Sequence, residues 1–354
     1  MAQTRDISPD TIRTFQADTP RMRPRDQADA LGIGEAALVA ASCGDGVTRI
    51  NAHPDRVMAA AQELGEVMAL TRNGSCVHEK IGTYANYHPG EHAAMILTEA
   101  IDLRIFPAHW CHAYMVETPG EDGPRRSLQV FDAAGDAVHK IILRDGSNHQ
   151  AWEGIRTAMA TEEQAPTLDL APRQPAEAPK SRPDRAETLR AEWRRMTDTH
   201  QFLRMTSKLK MNRLGAYRVA GAPFVRALVP GAVNTLLEGL AASDTQVMVF
   251  VGNRGCIQIH SGPVQTLKPM GPWQNVMDPG FNLHLRTDHI AEVWAVEKPT
   301  RAGPTTSIEA FDASGGLILQ VFGLRKETGD HRADFAGLVA DLSDLENVDA
   351  EVTQ

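Results

Sequence analysis

The amino-acid sequence predicts an α+β fold made by internal duplication: two similar repeats, each with a large antiparallel sheet and flanking helices. Three observations carry that expectation. The stretches VETPGEDGPRRSLQVFDAAG (116–135) and VEKPTRAGPTTSIEAFDASG (296–315) lie 180 residues apart and agree at ten of twenty positions without a gap, where composition alone would give about one or two. The same offset pairs Asn73 with Asn253, Cys76 with Cys256, Gly82 with Gly262, Pro89 with Pro269, and Asp18-Thr19 with Asp198-Thr199. Within each copy, helical sequence comes first and β-rich sequence follows, without the βαβα alternation that builds a parallel sheet.

The elements follow in that order. In the second copy Leu189, Trp193, Met196, His200 and Leu203 fall at spacings of 4, 3, 4 and 3, one apolar face of a single amphipathic helix. TQVMVFVGNRGCIQIHSG in copy two, and IDLRIF and CHAYMVE in copy one, are β-rich runs between turns containing Gly or Pro. SLQVFDAAGDAVHKIIL and SIEAFDASGGLILQVFG each hold two β runs around a D-A-x-G turn, the pattern of a hairpin. In IDLRIF, alternation puts Ile101, Leu103 and Ile105 on one face and Asp102, Arg104 and Phe106 on the other.

Residues 162–186, EEQAPTLDLAPRQPAEAPKSRPDRA, carry five prolines (Pro166, Pro172, Pro175, Pro179 and Pro183) and few large apolar side chains, the composition of an extended linker. The expected organisation is therefore an N-terminal repeat over 1–161, a linker over 162–186 and a C-terminal repeat over 187–354. Each repeat is long enough to bury an apolar core without disulfides. A net charge of −9 and a pI near 5.8 argue against nucleic acid or an anionic membrane as partner. Four scattered cysteines, Cys43, Cys76, Cys111 and Cys256, form no C-x-x-C pair and suit a reducing cytoplasm. The start MAQTRDISPDTIRTF has no apolar signal region and no stretch reaches membrane-spanning length, so a cytoplasmic location without stable membrane insertion is expected.

A duplication contains its own control, since a residue needed only by the scaffold should recur in both copies. His200, in TDTHQF, faces Pro20 of ADTPRM at the offset of 180, so the repeat does not require it. Two readings stand: a metal ligand, or a core or first-turn histidine after an Asp198-Thr199 cap. Arg213 faces Ile33, Lys298 faces Thr118, Gln320 faces Lys140, Arg325 faces Asp145, and Arg104 of copy one faces His284. His78 faces Gln258. HPGEH (88–92) is not H-E-x-x-H and is broken by Pro-Gly, and HWCH (109–112) read as a strand puts His109 and Cys111 on one face and His112 on the other. There is no G-x-S-x-G, no Walker lysine motif, no G-x-G-x-x-G and no persuasive carboxylate pair.

LRAEWRRMTDTHQF, VMVFVGNRGCIQIHSGPV, FNLHLRTDHIAEVWAVEKPT and TTSIEAFDASGGLILQVFGLRKE, with VHEKIGTY and IDLRIF of copy one, closely resemble the cytoplasmic hemin-degrading or hemin-transport proteins of haem-utilising Gram-negative bacteria, the HemS/HmuS/ChuS type. The resemblance runs from about residue 10 to 345 and includes the duplication. It implies one haem b (iron protoporphyrin IX) in a cleft between the repeats, with His200 as axial iron ligand. It places Arg213, Lys298, Gln320, Phe322 and Arg325 around the haem edge and propionates, and Arg104 at the distal face, making Arg104 and His200 the catalytic candidates. His78 matches a second haem contact of some relatives. Phe322 stands where some relatives have tyrosine, and LGAYRVAGAPFVRAL after Arg213 departs from the usual pattern. A macrocycle with two propionates and an iron that takes imidazole needs apolar walls, edge cations and one neutral histidine. Two functions in haem-iron acquisition fit this site: oxidative haem degradation with iron release, drawing on an electron donor, or a haem chaperone between an inner-membrane ABC importer and a recipient such as a haem oxygenase.

Overall fold

The computed structural model describes residues 7–326 and 329–345. The chain forms two compact units. The first comprises the residues up to Asn73, Val77–Pro175 and Gly252–Ile259; the second comprises Gly74–Cys76, Ala176–Val251 and the residues from His260 onward. Each repeat thus lends a short piece around its Asn-x-x-Cys turn to the unit built mainly by the other.

In the first unit, strands run in the order Val47–Ile50, His112–Thr118, Arg125–Phe131, Ala137–Leu143, Glu66–Arg72, Cys76–Thr83, antiparallel throughout. One face packs on the helices Pro54–Glu63 and Trp152–Met159 through Val57, Met58, Leu64, Trp152 and Ile155. The other packs on Glu35–Ala40 through Ala36, Ala40, Tyr114 and Phe131. In the second unit the order is Val225–Leu228, Glu292–Lys298, Thr305–Phe311, Leu317–Gly323, Val247–Gly252. Ala232–Ala241 and Arg332–Ala340 cover one face over Val247, Val249, Ile308 and Val321. The opposite face carries the helices Ala186–Arg194, Gln201–Lys208 and Arg213–Ala220, whose aromatic core is Trp193, Phe202, Tyr217, Phe224 and Phe311. No helix of the described residues is long and apolar enough to cross a membrane.

The hairpins expected from D-A-x-G form in both units for a physical reason visible in the side chains. Asp132 Oδ1 accepts from the backbone N–H groups of Ala134 and Asp136, and Asp312 Oδ1 from those of Ser314 and Gly316. Gly135 and Gly315 then take φ of 80° and 87°, which a side chain disfavours. Alternation in the strand Asp102–Ile105 also holds, with Leu103 and Ile105 fully buried and Arg104 half-buried.

Two expectations are corrected. The apolar face from Leu189 to Leu203 is not one helix: Ala186–Arg194 stops, a turn follows, and Gln201–Lys208 begins again, leaving Leu203 55% exposed. HWCH is not a strand, because Pro107–His109 is a 3-10 turn and the strand starts at His112; Thr287–His289 repeats that turn in copy two. The proline-rich segment is extended over 162–182 and is also tied down along its length. Arg49 and Gln164 exchange hydrogen bonds of 2.9 and 2.8 Å, the Ala171 N–H donates to the Ala133 carbonyl, and Arg173 forks onto Asp136.

In the second unit this strap lies against the helix Arg213–Ala220. The Lys180 N–H donates to Asn212 Oδ1 (2.9 Å) and the Ser181 hydroxyl to the Gly215 carbonyl (3.2 Å). A Cβ on Gly215 would stand 1.9 Å from the Lys180 carbonyl oxygen, so Gly215→Ala is expected to lift the strap and cost about 1–3 kcal/mol. Limited proteolysis should then cut faster between residues 176 and 182, and an unchanged cutting rate would show that the contact is yielding.

Candidate functional site

The break between the two helices is what presents His200. Asp198 Oδ1 accepts from the backbone N–H of His200 (2.8 Å) and from its ring Nδ1 (2.7 Å). Those bonds, with the backbone one first, hold the Asp198 carboxyl below the ordinary carboxylate range. An ionised carboxylate only accepts, so Nδ1 carries the proton and Nε2 keeps its lone pair, the tautomer and orientation a metal-binding imidazole needs. The His200 side chain is 94% exposed. Two residues on, Phe202 is buried edge-on to Trp193 at 4.8 Å and beside Tyr217 at 5.5 Å. The H-Q-F order therefore turns the imidazole out and anchors the turn through the phenyl ring. His200 is therefore not a core histidine: it occupies the N-cap position of Gln201–Lys208 without a side-chain capping bond.

Beneath Phe202 lies a buried charged cluster. Glu309 Oε2 accepts from Arg213 Nη1 and Oε1 from Lys298 Nζ, both at 2.8 Å, and Oε1 also accepts from the Ser307 hydroxyl at 2.9 Å. Both cations also donate to the Tyr217 oxygen, at 3.3 and 3.2 Å. Burial alone would raise the Glu309 carboxyl, but Lys298 and Arg213 hold it down to about 2. The Lys298 side chain is 3% exposed and Arg213 21%. Of the two cations, then, Arg213 reaches solvent and Lys298 is sealed.

The same sheet face continues outward from this cluster. Register places Phe250 opposite Gln320 and Gln320 opposite Glu309, with Met248 opposite Phe322 and Phe322 opposite Ser307. Met248, Phe250, Gln320 and Phe322 are half-buried while Val247, Val249 and Val321 on the reverse face are buried. Phe250 and Phe322 meet edge to face at 5.3 Å. Arg325, just past that strand, is 53% exposed with Asp330 4.0 Å away. The second unit thus assembles His200, Arg213, Gln320, Phe322 and Arg325 as accessible or half-accessible groups, with an aromatic platform next to a buried positive charge.

Arg104 and His78 belong to the first unit. Arg104 donates to the Asp102 carboxylate and, at 3.1 Å, to the Leu103 carbonyl, and its side chain is 34% exposed. His78 is fully buried: Gln258 Nε2 lies 3.0 Å from its Nδ1 and donates to the Ala69 and His78 carbonyls. Direct contact between His78 and a ligand would require that packing to open. Sequence reasoning missed Glu309, Tyr217 and Phe250. The signal for Glu309 was present, since its counterpart at 180 is Gln129, and an anion unique to copy two beside two cations unique to copy two marks a paired cluster.

A duplicated α+β protein with an exposed histidine, oriented by a carboxylate, in its second unit is the class these units define. The family model described as "Haemin-degrading HemS.ChuX domain" matches twice, over residues 32–158 and 210–342, and the chain belongs to this HemS family. It is 37% identical over 313 residues to the hemin transport protein HmuS of Yersinia pestis, covering 88% of this chain and 90% of that one. It is 36% identical to the hemin transport protein HemS of Yersinia enterocolitica over 93% and 95% of the two chains. The crystal structure of holo-PhuS, a heme-binding protein from Pseudomonas aeruginosa, superposes with a TM-score of 0.91 at 39% identity over 96% and 100% of the chains. ChuS, an E. coli heme oxygenase, superposes with a TM-score of 0.83 at 33% identity over 94% and 99%.

Proposed function

We propose that this protein binds haem b through His200 and acts in haem-iron acquisition by degrading the macrocycle oxidatively and releasing iron. The observation that carries the reading is the Asp198–His200 pair: an exposed imidazole with its proton fixed on Nδ1, in the copy where the other repeat has Pro20. The platform of Phe250, Phe322 and Met248 offers the apolar contact a macrocycle needs, and Arg213 and Arg325 supply cations for its carboxylates. Gln320 adds a polar group on that platform, and Lys298 acts from below. We further assign Arg104 a catalytic role, as a cation that would supply a hydrogen-bond donor to oxygen when haem is bound, and His78 an indirect role through its buried packing. The relatives called heme oxygenase and hemin transport protein support haem as the substrate. We place the protein in the cytoplasm, fed by an inner-membrane ABC importer and supplied with electrons by a separate donor.

Delivery without degradation is the second reading, favoured by the 94% exposure of His200, which leaves the ligand open to exchange with a recipient. Hemin-loaded protein given a reductant and oxygen, with catalase present, separates the two. Degradation predicts loss of the Soret band with a discrete bilin-type product over several turnovers. A Soret band that persists, or fades only when catalase is omitted, overturns degradation and leaves delivery.

A further inference from the structure

Arg213 reaches the surface, yet only one of its nitrogens is used within the protein. Nη1 donates to Glu309 and Tyr217, while Nε and Nη2 have no protein acceptor among the described residues. A guanidinium held at one corner in this way keeps a two-pronged edge for a carboxylate. Holding it there is the work of a cluster found in one repeat: Glu309, Lys298, Tyr217 and Arg213 face Gln129, Thr118, Ala37 and Ile33.

The charge count matters as much as the geometry. Two cations against one carboxylate leave a net +1 in a cluster whose Glu309 and Lys298 are almost fully buried. Lys298 lies 4.9 Å from the Phe202 ring centroid and 5.5 Å from that of Tyr217, sealed from any ligand, so it serves to offset Glu309. With Glu309 neutralised by Lys298, the charge of Arg213 is left uncompensated. Without Lys298, Glu309 would cancel it.

We propose that Glu309 is a positioning residue that makes the site selective for a free carboxylate: it fixes the Arg213 guanidinium, with Lys298 as its counter-charge, so that Arg213 presents an unused edge and one net positive charge to a ligand carboxylate. This rests on the haem reading above and assigns the residue that sets its preference for the acid form of the porphyrin.

The test compares hemin with hemin dimethyl ester, whose propionates are esterified, by absorbance titration of apo protein at neutral pH. The wild type is expected to favour the diacid by about tenfold or more. Glu309→Gln with Lys298→Met, which keeps the cluster at one positive charge while removing the carboxylate that holds Arg213, should reduce that ratio by about fivefold or more through weaker diacid binding, with ester affinity unchanged. If that variant leaves too little folded protein, Glu309→Asp keeps the charge and draws the carboxylate back from Arg213, and it should lose the ratio too. A diacid-to-ester ratio that stays at or above the wild-type value in the folded variants overturns the proposal. Arg213→Met separates the two levels. If it abolishes the preference while the Glu309 variants keep it, Glu309 does not position Arg213. If Arg213→Met keeps the preference, the assignment of Arg213 to a haem carboxylate is itself wrong.

Discussion

Replacing His200 by alanine is expected to weaken hemin binding by about a hundredfold or more and to shift the Soret band, because it removes the nitrogen proposed above to bind the iron. The scale follows from the partner residue. Losing the carboxylate that orients a metal-bound histidine costs about 10–100-fold in metal affinity, so Asp198→Ala, which frees the ring Nδ1 now held at 2.7 Å, should cost about tenfold and the ligand itself more. His200 is exposed and packs on no core cluster, so the variant should fold as the wild type does. Added imidazole should restore the wild-type spectrum to His200→Ala by occupying the vacated iron position. An unchanged spectrum and affinity would move the ligand to His78 or another residue.

Acid should destabilise the first unit through His139, and the effect is large. His139 is fully buried, with its Nε2 2.5 Å from the Tyr84 hydroxyl and its Nδ1 2.8 Å from Thr71 Oγ1. Thr71 gives its own hydrogen to Gln258 Oε1 at 3.0 Å, so the Nδ1 proton belongs to His139 and Nε2 accepts from Tyr84. A second proton would have no counter-charge beside it, and burial pushes the imidazole down to about 3. Above the ordinary histidine pKa of 6.5 the ring is neutral folded or unfolded. As pH falls below 6.5 only the unfolded chain takes the proton, so stability falls by about 1.4 kcal/mol per pH unit until about pH 3. Urea unfolding of apo protein at pH 6.5 and 5 should therefore show a loss of about 2 kcal/mol from this residue. The double variant Tyr84→Phe, His139→Leu, which restores residue types like Val264 and Leu319 at the equivalent positions, should have a slope shallower by that amount. Equal slopes would show that His139 takes its proton in the folded state.

Much of the fold was legible because a duplication and a period-two pattern are local properties. The D-A-x-G hairpins, the inward Leu103 and Ile105 and the repeat offset all followed from spacing. The helix from Leu189 to Leu203 misled for a physical reason. An apolar face at spacings of 3 and 4 survives a break when the two helical pieces pack on the same core, and Asp198 binds the His200 backbone more readily than it continues a helix. The proline-rich segment was legible as extended but not as pinned, since its partners Asn212, Asp136 and Ala133 are far away in sequence.

The candidate site divides along the same line. That His200, Arg213, Lys298, Gln320 and Arg325 are peculiar to the second repeat, and Arg104 to the first, was determined by the sequence alone, because comparing one copy with the other removes whatever the scaffold requires. Which of these groups a ligand can reach was decided only by the tertiary structure. Exposure and ion pairing depend on neighbours brought together by the sheet: Glu309 claims Lys298 and one corner of Arg213, Gln258 and the core enclose His78, and Asp198 turns the imidazole of His200 outward with its Nε2 free.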